Sequence, residues 1–268
     1  MLQLLRNVIV AFNDPEEFKQ LLLTKRVGIY NFGPGIGDHV HYTFWPEIYY
    51  ENTGKKLVDL NKKWCYDYNP FVERDKPVDI AFCPWELDKL LPKKHYLNAP
   101  EQVFSWLNFK VNIRHPRLYR FEDIVPIPGT VCVNTTGKSM HTEIPDKVID
   151  LISETYRDYQ IFQVGGINDR NTPFIDRRGL GMWNTAELIA KSQIFIGVNS
   201  GMMHIADCYP RVCKKILIDE RSLEELKQWW PCSRIMEPIS DSHWLNTTMA
   251  YYNYSDNDIG ITYTWRKI

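Results

Sequence analysis

The stretch Ile194-Phe-Ile-Gly-Val-Asn-Ser-Gly-Met-Met-His-Ile-Ala206 decides how the chain is read. It opens on apolar β-formers, Ile194, Phe195, Ile196 and Val198, which predict a buried strand. Asn199-Ser200-Gly201 predicts a sharp turn, and Met202 to Tyr209 a helix stopped by Pro210. The free first-turn N–H groups of such a helix, together with its dipole, favour an anion. Ser200 is placed to cap the helix, Gly201 lets a ligand approach the backbone, and His204 adds a donor on the first turn. The same residues also make an ordinary strand-to-helix connection with a serine cap and a packed histidine, so the surrounding pattern has to decide.

On either side the pattern repeats. Thr130–Val133 predicts a strand, Asn134–Ser139 a polar loop, and Pro145–Tyr156 a helix with Ile144, Val148, Leu151 and Ile152 on one face. Gln160–Val164 predicts the next strand, running into the turn Gly165-Gly166-Ile-Asn-Asp169. Asn184 to Lys191 predicts a helix with Asn184 as cap and Glu187 completing a capping box. Beyond the opening stretch, Lys215–Ile218 predicts a strand and Ser222–Trp230 a helix, and the tail from Cys232 shows no assignable period. Alternating strands and helices imply a parallel sheet covered on both faces. Open sheets of this kind bind ligands beyond the carboxyl ends of their strands. The loops there carry Thr135, Thr136 and Lys138; Gly165, Gly166 and Asp169; and Asn199, Ser200, Gly201, Met202 and His204. Hydroxyls, a lysine and a helix start suit a diphosphate, and an acid after a Gly-Gly turn suits ribose hydroxyls.

The first half reads as a separate α/β region. Asp14-Pro15-Glu16-Glu17 starts a helix that runs to Thr24. Arg26–Phe32 and Lys56–Leu60 predict strands around a helical stretch through Trp45 and Tyr50, a β-α-β unit, and Val78–Cys83 predicts a further strand. Between the first strand and its helix stands Gly33-Pro34-Gly35-Ile36-Gly37-Asp38, where Asp38 is either an N-cap or a functional acid. His39 and His41 follow as weaker base candidates, with helix-surface or packing roles as the alternative. Phe121–Gly129, with two prolines and a glycine, predicts a linker, giving domains of residues 1–125 and 126–268.

Bulk composition narrows the class. The 268 residues carry a formal net charge of −1, so total charge does not point to nucleic acid. The segment 89–120 is locally basic and aromatic, which fits a solvated face or a surface for an anionic acceptor such as DNA. The six cysteines are scattered without a Cys-x-x-Cys pair, which speaks against a structural zinc and for a reducing compartment. No apolar run approaches a membrane span, and the first residues are too short an apolar run for a signal peptide, so a cytoplasmic location is expected.

Taken in order, these motifs resemble the heptosyltransferases of glycosyltransferase family nine. Gly35-Ile-Gly-Asp38 with Pro46 eight residues on resembles the family's N-terminal motif. Asn199-Ser-Gly-Met-Met-His-Ile-Ala206 resembles its Asp-Ser/Thr-Gly-x-x-His-hydrophobic-Ala helix motif, Thr135-Thr136-x-Lys138 its phosphate loop, and Gly165-Gly166 its next strand–turn. The resemblance implies a GT-B fold: two Rossmann-like domains with parallel sheets facing across a cleft, acceptor on the N-terminal one and donor on the C-terminal one. It implies an inverting, metal-independent transfer from a nucleotide-diphosphate sugar without a cofactor, with Asp38 as general base and Gly35, Gly37 and His39 around it. Asn199 departs from the family acid, keeping hydrogen bonding and losing charge. The acceptor is a saccharide, a protein hydroxyl or a modified DNA base. A nucleotide-sugar epimerase and a non-catalytic sugar-nucleotide-binding module are the alternative readings.

Overall fold

The strand of the opening stretch, β10 (Ser192–Val198), lies between β5 (Ile127–Asn134) and β11 (Lys214–Asp219) in a computed structural model, parallel to both. The structure describes residues 14–30, 35–84, 104, 107–111, 116–138, 142–209, 211–212, 214–219, 248–253 and 262–264. By internal contacts the chain forms two compact units, Met1–Pro34 with Asp38–Tyr119, and Gly35–Gly37 with Arg120–Ile268.

In the second unit β8 (Gln160–Val164) and β9 (Ile175–Asp176) extend the sheet beyond β5, while β12 (Thr248–Asn253) and β13 (Thr262–Thr264) extend it beyond β11. The spatial order is β9-β8-β5-β10-β11-β12-β13, parallel except for the last pair. Counted within this sheet, the first six strands in spatial order are third, second, first, fourth, fifth and sixth in the chain, the doubly wound Rossmann order. The strand order reverses between β5 and β10, and ligands of such sheets bind beyond the carboxyl ends at that point. The tail without a period thus supplies two strands.

Helix α4 (Asp146–Thr155) packs one face on this sheet. Val148, Ile149 and Ile152 meet Val131 and Val133 of β5 and Ile194, Ile196 and Val198 of β10 in one core cluster. Side chains two apart on a strand share a face, and 131/194 and 133/196 are register partners, so the two strands offer one apolar surface. Leu151 is exposed and Ile149 takes the place expected for it, because 148, 149 and 152 define the 3.6-residue stripe. Helix α5 (Met182–Lys191) starts two residues before the expected cap. Gly181 is the N-cap, with Thr185 N–H donating to its carbonyl, so Asn184 lies inside the helix and forms no capping box. Glu187 pairs instead with Lys191 one turn on, at 2.5 Å. The expected linker is partly strand, since β5 begins at Ile127. The expected loop after β5 carries a hairpin, β6 (Thr136–Gly137) with β7 (Thr142–Glu143).

The first unit holds a parallel sheet of β3 (Val72–Glu73), β2 (Leu57–Asp59), β1 (Val27–Ile29) and β4 (Ile80–Phe82), in that order. Helix α1 (Pro15–Thr24) starts as expected, with Asp14 Oδ1 accepting the Glu17 N–H at 2.9 Å. Phe18 and Leu22 of α1 are buried, and the Tyr49 hydroxyl donates to the Leu22 carbonyl at 2.7 Å, tying α1 to α3 (Trp45–Thr53). Trp45, fully buried, packs against Tyr42, Phe82 and Phe104 with ring centroids 4.7 to 6.0 Å apart. The four cysteines in described positions, 65, 83, 132 and 208, are free and buried, which is how small core residues behave. The helix expected over 222–230 lies outside the described residues.

Candidate functional site

Three strand ends meet at the reversal point of the second sheet, and Asn134 joins them. Its side chain is buried at the end of β5. Nδ2 donates to the Val164 carbonyl at the end of β8 (3.4 Å), and Oδ1 accepts the Ser200 hydroxyl from the turn after β10 (2.7 Å). Ser200 does stand at the N-cap of α6 (Gly201–Asp207), but its side chain accepts no helix N–H; its proton goes to Asn134. That hydroxyl therefore shows only lone pairs to a ligand, which suits a ligand O–H and not a phosphate oxygen.

The loop after β5 abuts the turn after β10. A Cβ on Gly137 would fall 2.8 Å from the Asn199 backbone oxygen and 2.5 Å from Thr142 Oγ1, so only glycine fits. Asn199 is buried. Thr135 is fully buried and takes a hydrogen bond from Gln163 Nε2 at 3.2 Å, while Thr136 is half-buried and its Oγ1 lies 3.4 Å from that of Thr135. Of the two threonines, only Thr136 is exposed enough to touch a ligand; Thr135 acts behind it. Lys138 is exposed, and its Nζ lies 3.1 Å from where a Gly166 Cβ would stand, so the ammonium overhangs the Gly-Gly turn.

That turn is locked by Asp169. Gly165 has φ +139°, and a Cβ there would stand 2.3 Å from Asp169 Oδ2 and 3.1 Å from Asn134 Nδ2. The carboxylate accepts the Gly166 N–H at 2.7 Å. Asp169 is 8% exposed, so much of the acid expected to meet ribose hydroxyls is spent closing its own turn. Arg178 fastens the loop from the other side, donating to the Asp169 carbonyl, to Asn171 (3.0 Å) and to both Asp176 oxygens (2.9 Å). Its guanidinium holds the Asp176 carboxyl well below the usual carboxylate range.

Gly35–Gly37 groups with this second unit. A Cβ on Gly201 would fall 2.7 Å from Ile36 Cβ and 3.0 Å from the Gly37 nitrogen, and one on Gly37 would fall 2.5 Å from His204 Cδ2. Both glycines are thus places where backbone meets another element with no room for a side chain. Met202 and His204 are buried, the histidine ring lying against Gly37.

Asp38 is the third residue of α2 (Ile36–His41), so it is inside the first turn and not an N-cap, and it is half-buried. His39 and His41 are buried in the helix and not on its surface. Burial, then the nearby Lys63, pushes the His39 imidazole down to about 4, which leaves it neutral near pH 7. Of the basic segment, residues 89–103, 105–106 and 112–115 lie outside the described residues. Arg117 is spent on the buried Glu47, its Nη1 lying 2.8 and 2.9 Å from the two carboxylate oxygens, with the Tyr119 hydroxyl on the same carboxylate. Burial raises the Glu47 carboxyl, against the pull of Tyr119 and Arg117. Arg120 lies over the Phe121 and Trp183 rings at 4.6 and 5.6 Å. These two arginines are therefore engaged within the protein.

Asn134, Gln163 and Arg178 carry much of this arrangement and were not among the expected site residues. Gln163 had a legible signal, a polar residue interrupting an apolar strand. Asn134 and Arg178 had none beyond their polar loops. Among the described residues no helix is long and apolar enough to cross a membrane.

No protein-family model matches the chain, and no curated protein matches it in sequence. Solved structures do match in fold. A glycosyltransferase of family 9 from Veillonella parvula superposes with a TM-score of 0.55 at 13% identity, over 74% of this chain and 81% of that one. TibC, an iron-containing dodecameric glycosyltransferase of an enterotoxigenic E. coli, gives 0.54 at 18% identity, over 74% of this chain and 61% of its own. The E. coli heptosyltransferase WaaC, solved with ADP, gives 0.51 at 11% identity, over 76% of this chain and 90% of that one. The fold of this chain, two Rossmann-like α/β units, is the fold of those glycosyltransferases.

Proposed function

We propose that the chain is a glycosyltransferase that moves a sugar from a nucleoside-diphosphate donor to an acceptor hydroxyl with inversion. One observation carries the reading. The loops after β5, β8 and β10 converge at the strand-order reversal, bringing Lys138, Thr136 and the Gly165–Gly166 turn beside Asn199–Gly201. A cation, an outward hydroxyl and glycine backbone suit a diphosphate, and the lone pairs of Ser200 suit a hydroxyl of the donor. The shared fold supports the same reading, and WaaC, one of its members, was solved with ADP.

In this reading Asp38, covalently next to the Gly37 that packs on His204, takes the proton of the acceptor hydroxyl. The acceptor oxygen bonds to the anomeric carbon from the face opposite the diphosphate. The carbon–oxygen bond to the diphosphate breaks, and its electrons leave with the diphosphate. Lys138, Thr136 and the amides at Gly201 and Met202 meet the charge that develops there. Asp169 supports the Gly165–Gly166 turn, with a remaining carboxylate edge toward the donor. The acceptor is a saccharide, a protein hydroxyl or a modified DNA base; of the basic segment, Arg117 and Arg120 are engaged within the protein.

The test is a binding panel of ADP, GDP, UDP and CDP, then mass spectrometry of acceptor pools with the matching sugar donors. Mass gain by one sugar residue in an acceptor supports the reading. Donor turnover with no acceptor present would assign an epimerase instead, and binding with no turnover a non-catalytic module.

A further inference from the structure

We infer that Gln163 is a positioning residue that, through the hydroxyl of Thr135, turns that of Thr136 into a donor aimed at an anionic ligand. The inference rests on the diphosphate reading above and adds a residue to it.

The Gln163 side chain is fully buried at the end of β8. Nε2 donates to the Arg170 carbonyl at 2.6 Å and to Thr135 Oγ1 at 3.2 Å, and Oε1 accepts the Thr172 hydroxyl at 2.8 Å. A backbone carbonyl can only accept, so the Arg170 contact fixes which end of the amide is nitrogen. Both amide protons are then used, and Thr135 Oγ1 is an acceptor toward Gln163. The 3.4 Å contact with Thr136 Oγ1 allows either hydroxyl to donate, and with Gln163 donating to Thr135 the Thr135 proton is the one assigned to Thr136. That separation is long for an O–H···O bond, and an anion drawing on Thr136 would shorten it. Thr136 accepts from Thr135 and keeps its proton for the ligand. Donors linked in series polarise one another, which strengthens the last.

The polarity matters because phosphate oxygens at neutral pH only accept. Gln163 sets one loop as donor, whereas Asn134 draws the Ser200 proton inward and sets the other as acceptor. Two buried amides thus sort the hydroxyls of the site into a diphosphate side and a sugar-hydroxyl side.

The experiment uses the full chain and compares Gln163→Glu, Thr135→Val and Thr135→Ser with wild type. Glutamate keeps the shape but reverses the chain, because a carboxylate accepts the Thr135 proton; valine cuts the link without charge; serine keeps it. Calorimetry or ligand-observed NMR measures ADP, GDP, UDP and CDP and the four matching nucleosides. The expected result is a tenfold or greater loss of diphosphate affinity in Gln163→Glu and Thr135→Val, unchanged nucleoside affinity, and recovery in Thr135→Ser. If Gln163→Glu fails to fold, Thr135→Val against Thr135→Ser decides. A lower Tm with the diphosphate-to-nucleoside ratio of wild type would make Gln163 structural only and overturn the inference. A wild type that binds none of the four diphosphates would overturn the diphosphate reading as well.

Discussion

Gly165→Ala tests the geometry of the candidate site most directly. The added methyl meets two separate obstacles. The backbone at 165 has φ +139°, and a side-chain-bearing residue held in so sparsely populated a region costs about 1–3 kcal/mol. The methyl would also stand 2.3 Å from Asp169 Oδ2, and 2.3 Å is not a contact that a tenth of an ångström of adjustment can relieve. The carboxylate has to swing away, and the Gly166 N–H bond it accepts at 2.7 Å is lost, at about 1.5–3 kcal/mol for a bond to a charged group. Together the loss is about 3–5 kcal/mol, and at ~3 °C per kcal/mol for a unit of this size Tm falls by about 10 °C or more. Urea and thermal unfolding measure it. Gly165→Ala in an Asp169→Ala background separates the obstacles, because the 2.3 Å clash is gone there and the backbone cost of about 1–3 kcal/mol remains, with the 3.1 Å approach to Asn134 Nδ2 needing only a small adjustment. A single variant within about 1 kcal/mol of wild type, or an unchanged cost in the double-variant background, would refute the account of how Asp169 closes this turn.

Three further outcomes are expected. With its imidazole held at about 4 against an ordinary 6.5, His39 contributes stability that is complete above pH 6.5 and is lost as pH falls toward 4; between pH 7 and 5 that is ~2 kcal/mol, so His39→Gln should show a shallower pH dependence of Tm than wild type, and parallel curves would remove His39 from the account. Arg117→Met leaves Glu47 buried without its cation and should cost about 3–5 kcal/mol at pH 8; because the Glu47 carboxyl is already raised, it gains a proton more readily as pH falls, so the cost should shrink toward pH 5 and Glu47→Gln should recover most of it, whereas a pH-independent cost would refute the pairing as its cause. Asp38→Asn should lower transfer by about 10²–10⁴-fold while nucleoside-diphosphate affinity is kept, and transfer near wild type would take Asp38 out of the mechanism.

The sequence was informative where chemistry and period coincide and silent where only tertiary contacts decide. Strands β5, β8, β10 and β11 could be read from their apolar runs, and the α1 cap from Asp14 and Pro15, because those features are local. The lateral order of the strands could not, since β5 lies between β8 and β10 through pairings that no local pattern records. Short β3 and β9 were missed for the same reason: two residues carry no period. The hydroxyls show the limit most clearly. Ser200 stands at the N-cap position its residue type predicts, yet the bond that serine caps ordinarily make is absent, and the hydroxyl instead donates to Asn134, sixty-six residues earlier. Thr135 matches a phosphate-loop pattern and is wholly buried, so its contribution has to pass through Thr136. Residue type singled out the hydroxyls; the partners they find are Asn134 for Ser200 and Gln163 for Thr135, buried amides that no local pattern ties to them. The same reasoning gives Asn199 a role without the charge of an acid. Its backbone oxygen faces Gly137, so the turn is held to the β6 hairpin by close backbone approach, a constraint indifferent to whether the side chain is a carboxylate or an amide.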